Sequence, residues 1–148
     1  MTMTATTRRT DAAWQPPPGT YRITRTFDFA AAHHLSAGVP DGHTCARQHG
    51  HTWTVEVTVS STKLVGPGWV ADFADLKPLA RFIDEELDHR DLNEVLPMQP
   101  TTELVAAFLA SWCIENLEEA MEVRLESVVV SEGGANRTEF RPRRRRPT

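Results

Sequence analysis

His49 and His51 stand two positions apart in HGHTWTV, followed at the same spacing by Trp53, Val55, Val57 and Val59. A strand puts alternate residues on one face, so the two imidazoles point the same way, about 6.6–7 Å apart along the chain. Their face is the one that the Trp and Val residues mark as buried. Neighbouring imidazoles on a buried face repel when charged and cost desolvation when unpaired. A metal ion removes both penalties, since neutral imidazole is a common zinc ligand. Hydrogen bonds to backbone carbonyls are the other solution. His33 continues the odd-numbered apolar side of an earlier strand through Phe29 and Ala31. If the two strands pair as a hairpin, His33, His49 and His51 converge at one end of a sheet. Three histidines with an open fourth position describe a catalytic zinc rather than a closed structural one.

Cys45 lies four residues before His49. Its thiol either closes the site as a fourth ligand or stands off the metal as base or nucleophile, with its pKa lowered from about 8.5 by the cation. Spacing alone leaves both open. His34 should face away from the cluster, and His43 sits in the intervening loop. Asp88 and His89, in LDHRDLN, end a helix, where a His is often only a favourable cap. Glu132 follows the apolar run Val128–Val130 and precedes Gly133. It is placed equally to bond the N–H groups of a ligand or to sit exposed in a turn. Cys113, beside Trp112, reads as a small buried hydrophobe.

The elements that must position these groups follow from periodicity. Tyr21, Ile23, Phe27 and Phe29 alternate with polar residues, Arg25 excepted, which predicts a half-buried strand. A second strand runs from about His49 to Ser60, dominated by β-branched residues. Leu76, Leu79, Ala80, Ile83 and Leu87 then share one helix face, with Asp72 or Asp75 as cap. Thr101 caps a second helix carrying Val105, Phe108, Leu109 and Trp112. A third strand is expected over about Glu122–Val130, a Gly133-Gly134 turn, and a short strand near Thr138–Arg141. The order ββααββ, without a βαβ repeat, predicts an α+β layer: an antiparallel sheet with two helices on one face. Its open edges and uncovered face make a homo-oligomer the expectation.

With 148 residues and mean hydropathy −0.39, the chain reads as one soluble domain, with no apolar run long enough for a transmembrane helix. The expected boundaries are a disordered segment over 1–19, containing Pro16, Pro17 and Pro18, a single domain over 20–141, and a basic tail over 142–148. The N-terminus lacks the apolar stretch of a secretory signal, and two cysteines make no disulfide framework, so a cytoplasmic location is the default. Net charge is −4, and five arginines crowd the last eight residues. Such a tail binds RNA or membrane in some proteins and is a solvated end in more. Without interleaved aromatics, nucleic acid is a poor partner.

The strings FAAAHHL (29–35), CARQHGH (45–51), DFADLK (72–77), LDHRDLN (87–93), PTTE (100–103) and VVVSEG (128–133) together resemble the 6-pyruvoyl-tetrahydropterin synthase family. The resemblance runs from about Tyr21 to Glu139. It is strongest to the bacterial branch that forms 6-carboxy-5,6,7,8-tetrahydropterin in the deazapurine (queuosine) pathway. The resemblance implies the tunnelling fold, assembled as a trimer or a dimer of trimers with active sites between subunits. It implies Zn2+ on His33, His49 and His51, catalysis by Cys45 with Asp88 and His89, and a pterin held by Glu132, with Thr102 and Glu103 nearby. The short C-x3-HGH form resembles the carboxy-forming branch, whereas animal pyruvoyl-forming enzymes look more like C-x5-HGH. His34 stands where bacterial relatives often carry Arg, which leaves Arg47 as the candidate for the substrate's triphosphate. The implied reaction is a zinc-dependent lyase step from 7,8-dihydroneopterin triphosphate to 6-carboxytetrahydropterin, acetaldehyde and triphosphate. Pyruvoyl-forming triphosphate elimination and a non-enzymatic zinc-stabilised RNA-binding module stay as alternatives.

Overall fold

A computed structural model describes residues 13–144. Two long strands, β1 (Tyr21–His33) and β2 (His49–Ser61), pair antiparallel from Tyr21↔Ser61 to His33↔His49 without a register break. Their odd positions face inward, and Trp53, Val55 and Val57 are fully buried. Arg25, the exception in the pattern, keeps its charge at the margin. Its guanidinium donates to the Phe73 carbonyl at 2.7 Å and lies 5.3 Å from the centre of the Phe27 ring.

Strand β4 (Arg124–Glu132) pairs with the other edge of β2, and β5 (Asn136–Phe140) pairs with β4. The third predicted strand starts late because Glu122 adopts a left-handed conformation (φ 52°) that ends the preceding helix. Between them the turn places Gly133 and Gly134 at φ 63° and 79°, a conformation that glycine adopts freely.

The expected four-stranded antiparallel sheet is in fact five-stranded and mixed, since a two-residue strand β3 (Arg90–Asp91) joins the open edge of β1, giving the order β3-β1-β2-β4-β5. This extra strand runs parallel to Ala31 and Ala32. Two residues carry no readable alternation, which is why pattern missed it. The expected pair of helices is also divided. Asp72 caps a 3-10 turn (Phe73–Leu76), followed by α1 (Lys77–Phe82) and a π-helical turn (Ile83–Leu87). The stripe Leu76, Leu79, Ile83 and Leu87 is nonetheless buried, as its spacing requires. A short α2 (Leu92–Val95), the long α3 (Thr102–Asn116) capped by Thr101, and α4 (Glu118–Met121) complete the layer. These helices share one core with the odd-numbered positions of β1 and β2 and with Leu125, Val128 and Val130 of β4. No described helix is long and apolar enough to cross a membrane.

Residues 13–20 are exposed and form no regular element; the rest of the expected N-terminal segment, and Arg145 and Arg146, lie outside the described residues. One tail residue departs from the solvated reading. Arg144 donates through both guanidinium nitrogens to the Glu118 carboxylate and, at 3.1 Å, to the Leu125 carbonyl. Glu118 in turn accepts from the Leu125 amide at 2.7 Å, so Arg144 clamps the start of α4 to the start of β4. Arg144→Ala should lower the thermal midpoint by about 2–4 °C, roughly 1 kcal/mol, whereas Arg143→Ala should not move it. Calorimetry checks this, and equal midpoints for both variants would show that the clamp does not form in solution.

Candidate metal centre and catalytic cavity

The β1–β2 register sets His33 opposite His49, with His51 two residues further on. The ring centres are 4.5 Å (His33–His49), 5.2 Å (His33–His51) and 4.8 Å (His49–His51) apart. One ligand atom from each ring lies within 4.8 Å of the others. Backbone carbonyls fix two of the tautomers. His33 Nδ1–H donates to Pro100 O at 2.8 Å, and His49 Nδ1–H to Arg47 O at 2.7 Å. Each ring then presents an unprotonated Nε2. Burial lowers the pKa of His33, against the pull of its bond to Pro100, and the neighbouring His49 lowers it further. That keeps the ring neutral, as a ligand must be.

The Nε2 atoms of His33 and His51 are buried and have no hydrogen-bond partner. Glu132 Oε2 lies 3.6 Å from the first and 3.8 Å from the second, beyond hydrogen-bond reach. A buried polar atom without a partner costs about 1–3 kcal/mol. Three imidazoles on paired strands, with two such atoms, fit a divalent transition metal of the zinc type. The hydrogen-bond alternative thus holds only for the Nδ1 side of His33 and His49.

Cys45 is held from both sides. Its amide donates to His43 Nδ1 at 3.1 Å, and its carbonyl accepts from Leu35 N at 2.7 Å. It lines a cavity of about 590 Å³ together with His33, Thr101, Thr102, Glu103 and Glu132. Four residues from three separate motifs (Cys45, Thr102 with Glu103, and Glu132) therefore meet in one space. Thr102 Oγ1 is bonded to Thr138 Oγ1 at 2.9 Å and donates to Glu103 Oε2 at 3.2 Å. Asn136 and Thr138 also line the cavity and were not singled out in the sequence, where a short polar edge strand carries no signal. Arg47 is not among the lining residues. It is exposed, and it serves the site through the carbonyl that holds His49.

Asp88 and His89 do not line this cavity. His89 Nδ1 lies 2.8 Å from Asp88 Oδ2, while Asp88 Oδ1 accepts from Ala30 N at 2.8 Å. The Ala30 bond, and secondarily that from His89, holds the Asp88 carboxyl below the usual range. The pair docks on the outer edge of β1, and the His89 side chain is 82% exposed. It lines a shallow depression with Ala30, Ala32, Gly50 and Thr52, which also reaches His51 of the histidine cluster. His89 has φ 57°, a left-handed conformation that few non-glycine residues adopt. Within one chain, then, the oriented imidazole and the thiol cavity are separate.

Residues 22–143 match the family described as 6-pyruvoyl tetrahydropterin synthase. The chain belongs to that family. Among curated relatives it is 39% identical over 116 residues to a 6-carboxy-5,6,7,8-tetrahydropterin synthase of Synechocystis, covering 74% of this chain and 84% of that one. It is 36% identical over 85 residues to a dihydroneopterin monophosphate aldolase of Pyrococcus furiosus, covering 57% and 70%. The 6-pyruvoyl tetrahydropterin synthase structure of Caenorhabditis elegans superposes with a TM-score of 0.68 at 24% identity, over 84% of this chain and 97% of that one. The tunnelling fold is thereby shared.

The two cysteines of this family member should react differently. Burial pushes the Cys113 thiol up to about 12, whereas Cys45 is partly exposed in the cavity. A thiol-exchange reagent at pH 8 should titrate one thiol per folded chain rapidly and the second only on unfolding, and Cys45→Ala should abolish the fast phase. A fast phase that survives Cys45→Ala would contradict the burial of Cys113.

Proposed function

We propose that this protein is a zinc-dependent lyase that converts 7,8-dihydroneopterin triphosphate and water to 6-carboxy-5,6,7,8-tetrahydropterin, acetaldehyde and triphosphate, in 7-deazapurine biosynthesis. The observation that carries this reading is the convergence of three imidazoles, two with orphaned Nε2 atoms, beside a cavity that also holds a thiol and a carboxylate. His33, His49 and His51 would hold the metal. When bound, zinc supplies Lewis-acid polarisation of the substrate's side-chain hydroxyls.

The chain's own residues do the rest. Glu132, at the end of β4, binds the amino and N–H edge of the pterin and so sets where its side chain lies. Thr102 and Glu103 close the same wall. The Cys45 thiolate removes the proton on the side-chain carbon next to the ring. Asp88 accepts the Nδ1–H of His89 and leaves Nε2 free to carry a proton to or from the other face. Because His89 does not line its own chain's Cys45 cavity, it serves the cavity of a neighbouring copy in a trimer or dimer of trimers.

The similarity to a monophosphate aldolase favours a second reading, carbon–carbon cleavage of a pterin with a shorter phosphate chain. Pyruvoyl-forming elimination differs from both in keeping all side-chain carbons. Mass analysis of products from dihydroneopterin triphosphate and monophosphate should show 6-carboxytetrahydropterin and acetaldehyde from the triphosphate; a pyruvoyl product, or turnover of the monophosphate alone, would sink the first reading. In the same assay, Cys45→Ala and His89→Ala chains should each lose at least about 100-fold in rate, the range expected of a lost acid or base. Dissociated, mixed and reassembled, they should regain part of the wild-type rate. No recovery in confirmed mixed oligomers would mean that both groups act within one chain.

A further inference from the structure

A closed ring of side-chain hydrogen bonds lies just outside the three-histidine cluster. Asn93, in α2, bonds the backbone of His34 twice: its Oδ1 accepts from His34 N at 2.8 Å, and its Nδ2 donates to His34 O at 2.9 Å. The amide thereby imitates a neighbouring strand and prolongs the β3–β1 pairing by side chain where the backbone has turned into a helix. Asp91 Oδ1 caps that helix by accepting from Asn93 N at 3.0 Å. Its Oδ2 accepts from Gln48 Nε2 at 2.7 Å. An ionised carboxylate only accepts, so the Gln48 nitrogen must face it and the Gln48 oxygen must face His34. His34 Nδ1–H then donates to Gln48 Oε1 at 2.9 Å, and the ring closes.

What the ring joins gives it meaning. His34 follows His33, and Gln48 precedes His49. Asp91 and Asn93 belong to the segment that also carries Asp88 and His89, and that segment is pinned upstream by Ala30. The ends of β1 and β2, where the ladder stops and strands fray, are thus tied to a third segment one residue beyond each of two histidines. We propose that Gln48, Asp91 and Asn93 are positioning residues that hold His33 and His49 in metal-binding geometry. The inference rests on the metal-centre reading given above. No side chain of the three hydrogen-bonds a ring of the cluster, so each acts through the backbone of a ligand residue or its neighbour.

The test reads zinc affinity of the full-length protein by competition with a chromophoric chelator. Groups that orient metal ligands from outside typically change affinity by about 10–100-fold when lost. Gln48→Glu sets two carboxylates against each other and removes a donor, and should weaken zinc binding by about 10-fold or more. The paired variant Gln48→Glu with Asp91→Asn restores every donor and acceptor with the polarity of one bond reversed and the net charge kept. It should recover affinity to within about threefold of wild type, a rescue that a general loss of stability does not produce. Asn93→Leu should weaken binding by a similar factor; if that variant fails to fold, the Gln48–Asp91 pair decides alone. Single variants that bind zinc as tightly as wild type, or a paired variant no better than Gln48→Glu, overturn the clamp and leave the metal centre standing. A wild-type chain that takes up no zinc overturns the metal-centre reading and this inference with it.

Discussion

The antiparallel register between β1 and β2 is the constraint on which the site depends. It runs unbroken over thirteen residues of each strand, and its last rung is His33 against His49. A slip of one residue would turn every inward side chain outward. Trp53, Val55 and Val57 would then face water, which forbids the slip at a cost of several kcal/mol, at about 1.5–3 kcal/mol for each large apolar side chain. The apolar core therefore fixes the histidines in place, although it makes no use of their chemistry. Trp53 shows the coupling directly. Its ring packs edge-on at 4.9 Å from His33 and 5.9 Å from His51, and its Nε1–H donates to Ala31 O at 3.2 Å.

Around this frame two of the three ligand candidates, His33 and His49, are oriented by backbone carbonyls. Pro100 and Arg47 supply the carbonyls, and both belong to loops that the fold brings alongside. The Pro100 loop continues into Thr101, whose hydroxyl caps α3 by accepting from Leu104 N at 3.2 Å. One loop thus starts the long helix, sets a histidine tautomer and lines the cavity. The same economy holds at the turn after β4. A Cβ on Gly133 would lie 3.9 Å from His51 Nδ1, and Glu132 immediately before it reaches toward the cluster from the other wall.

Much of this was legible in the chain. H-x-H on a strand whose other inward residues are Trp and Val states its own face, and His33 follows from the same alternation. Long periodic segments announced themselves, and Thr101 marked a helix start. Less was legible wherever structure depends on short or non-periodic contacts. Strand β3 is two residues long and exists because Ala31 and Ala32 offer an edge to pair with. The ring through Gln48, Asp91 and Asn93 joins residues up to 59 positions apart, and although they lie in CARQHGH and LDHRDLN, spacing does not show that they meet. Arg144 looked like one of five similar tail arginines until Glu118 selected it. The separation of His89 from Cys45 is geometric too, since spacing says only that they lie in different elements.

Three imidazoles and no thiol should hold the metal. Zinc K-edge X-ray absorption of the loaded protein tests it most directly, because Zn–N and Zn–S distances differ by about 0.2–0.3 Å. The spectrum should show nitrogen and oxygen scatterers at about 2.0–2.1 Å, with imidazole multiple scattering and no sulfur. Sulfur at about 2.3 Å would make Cys45 a ligand and rule out a site of three imidazoles alone.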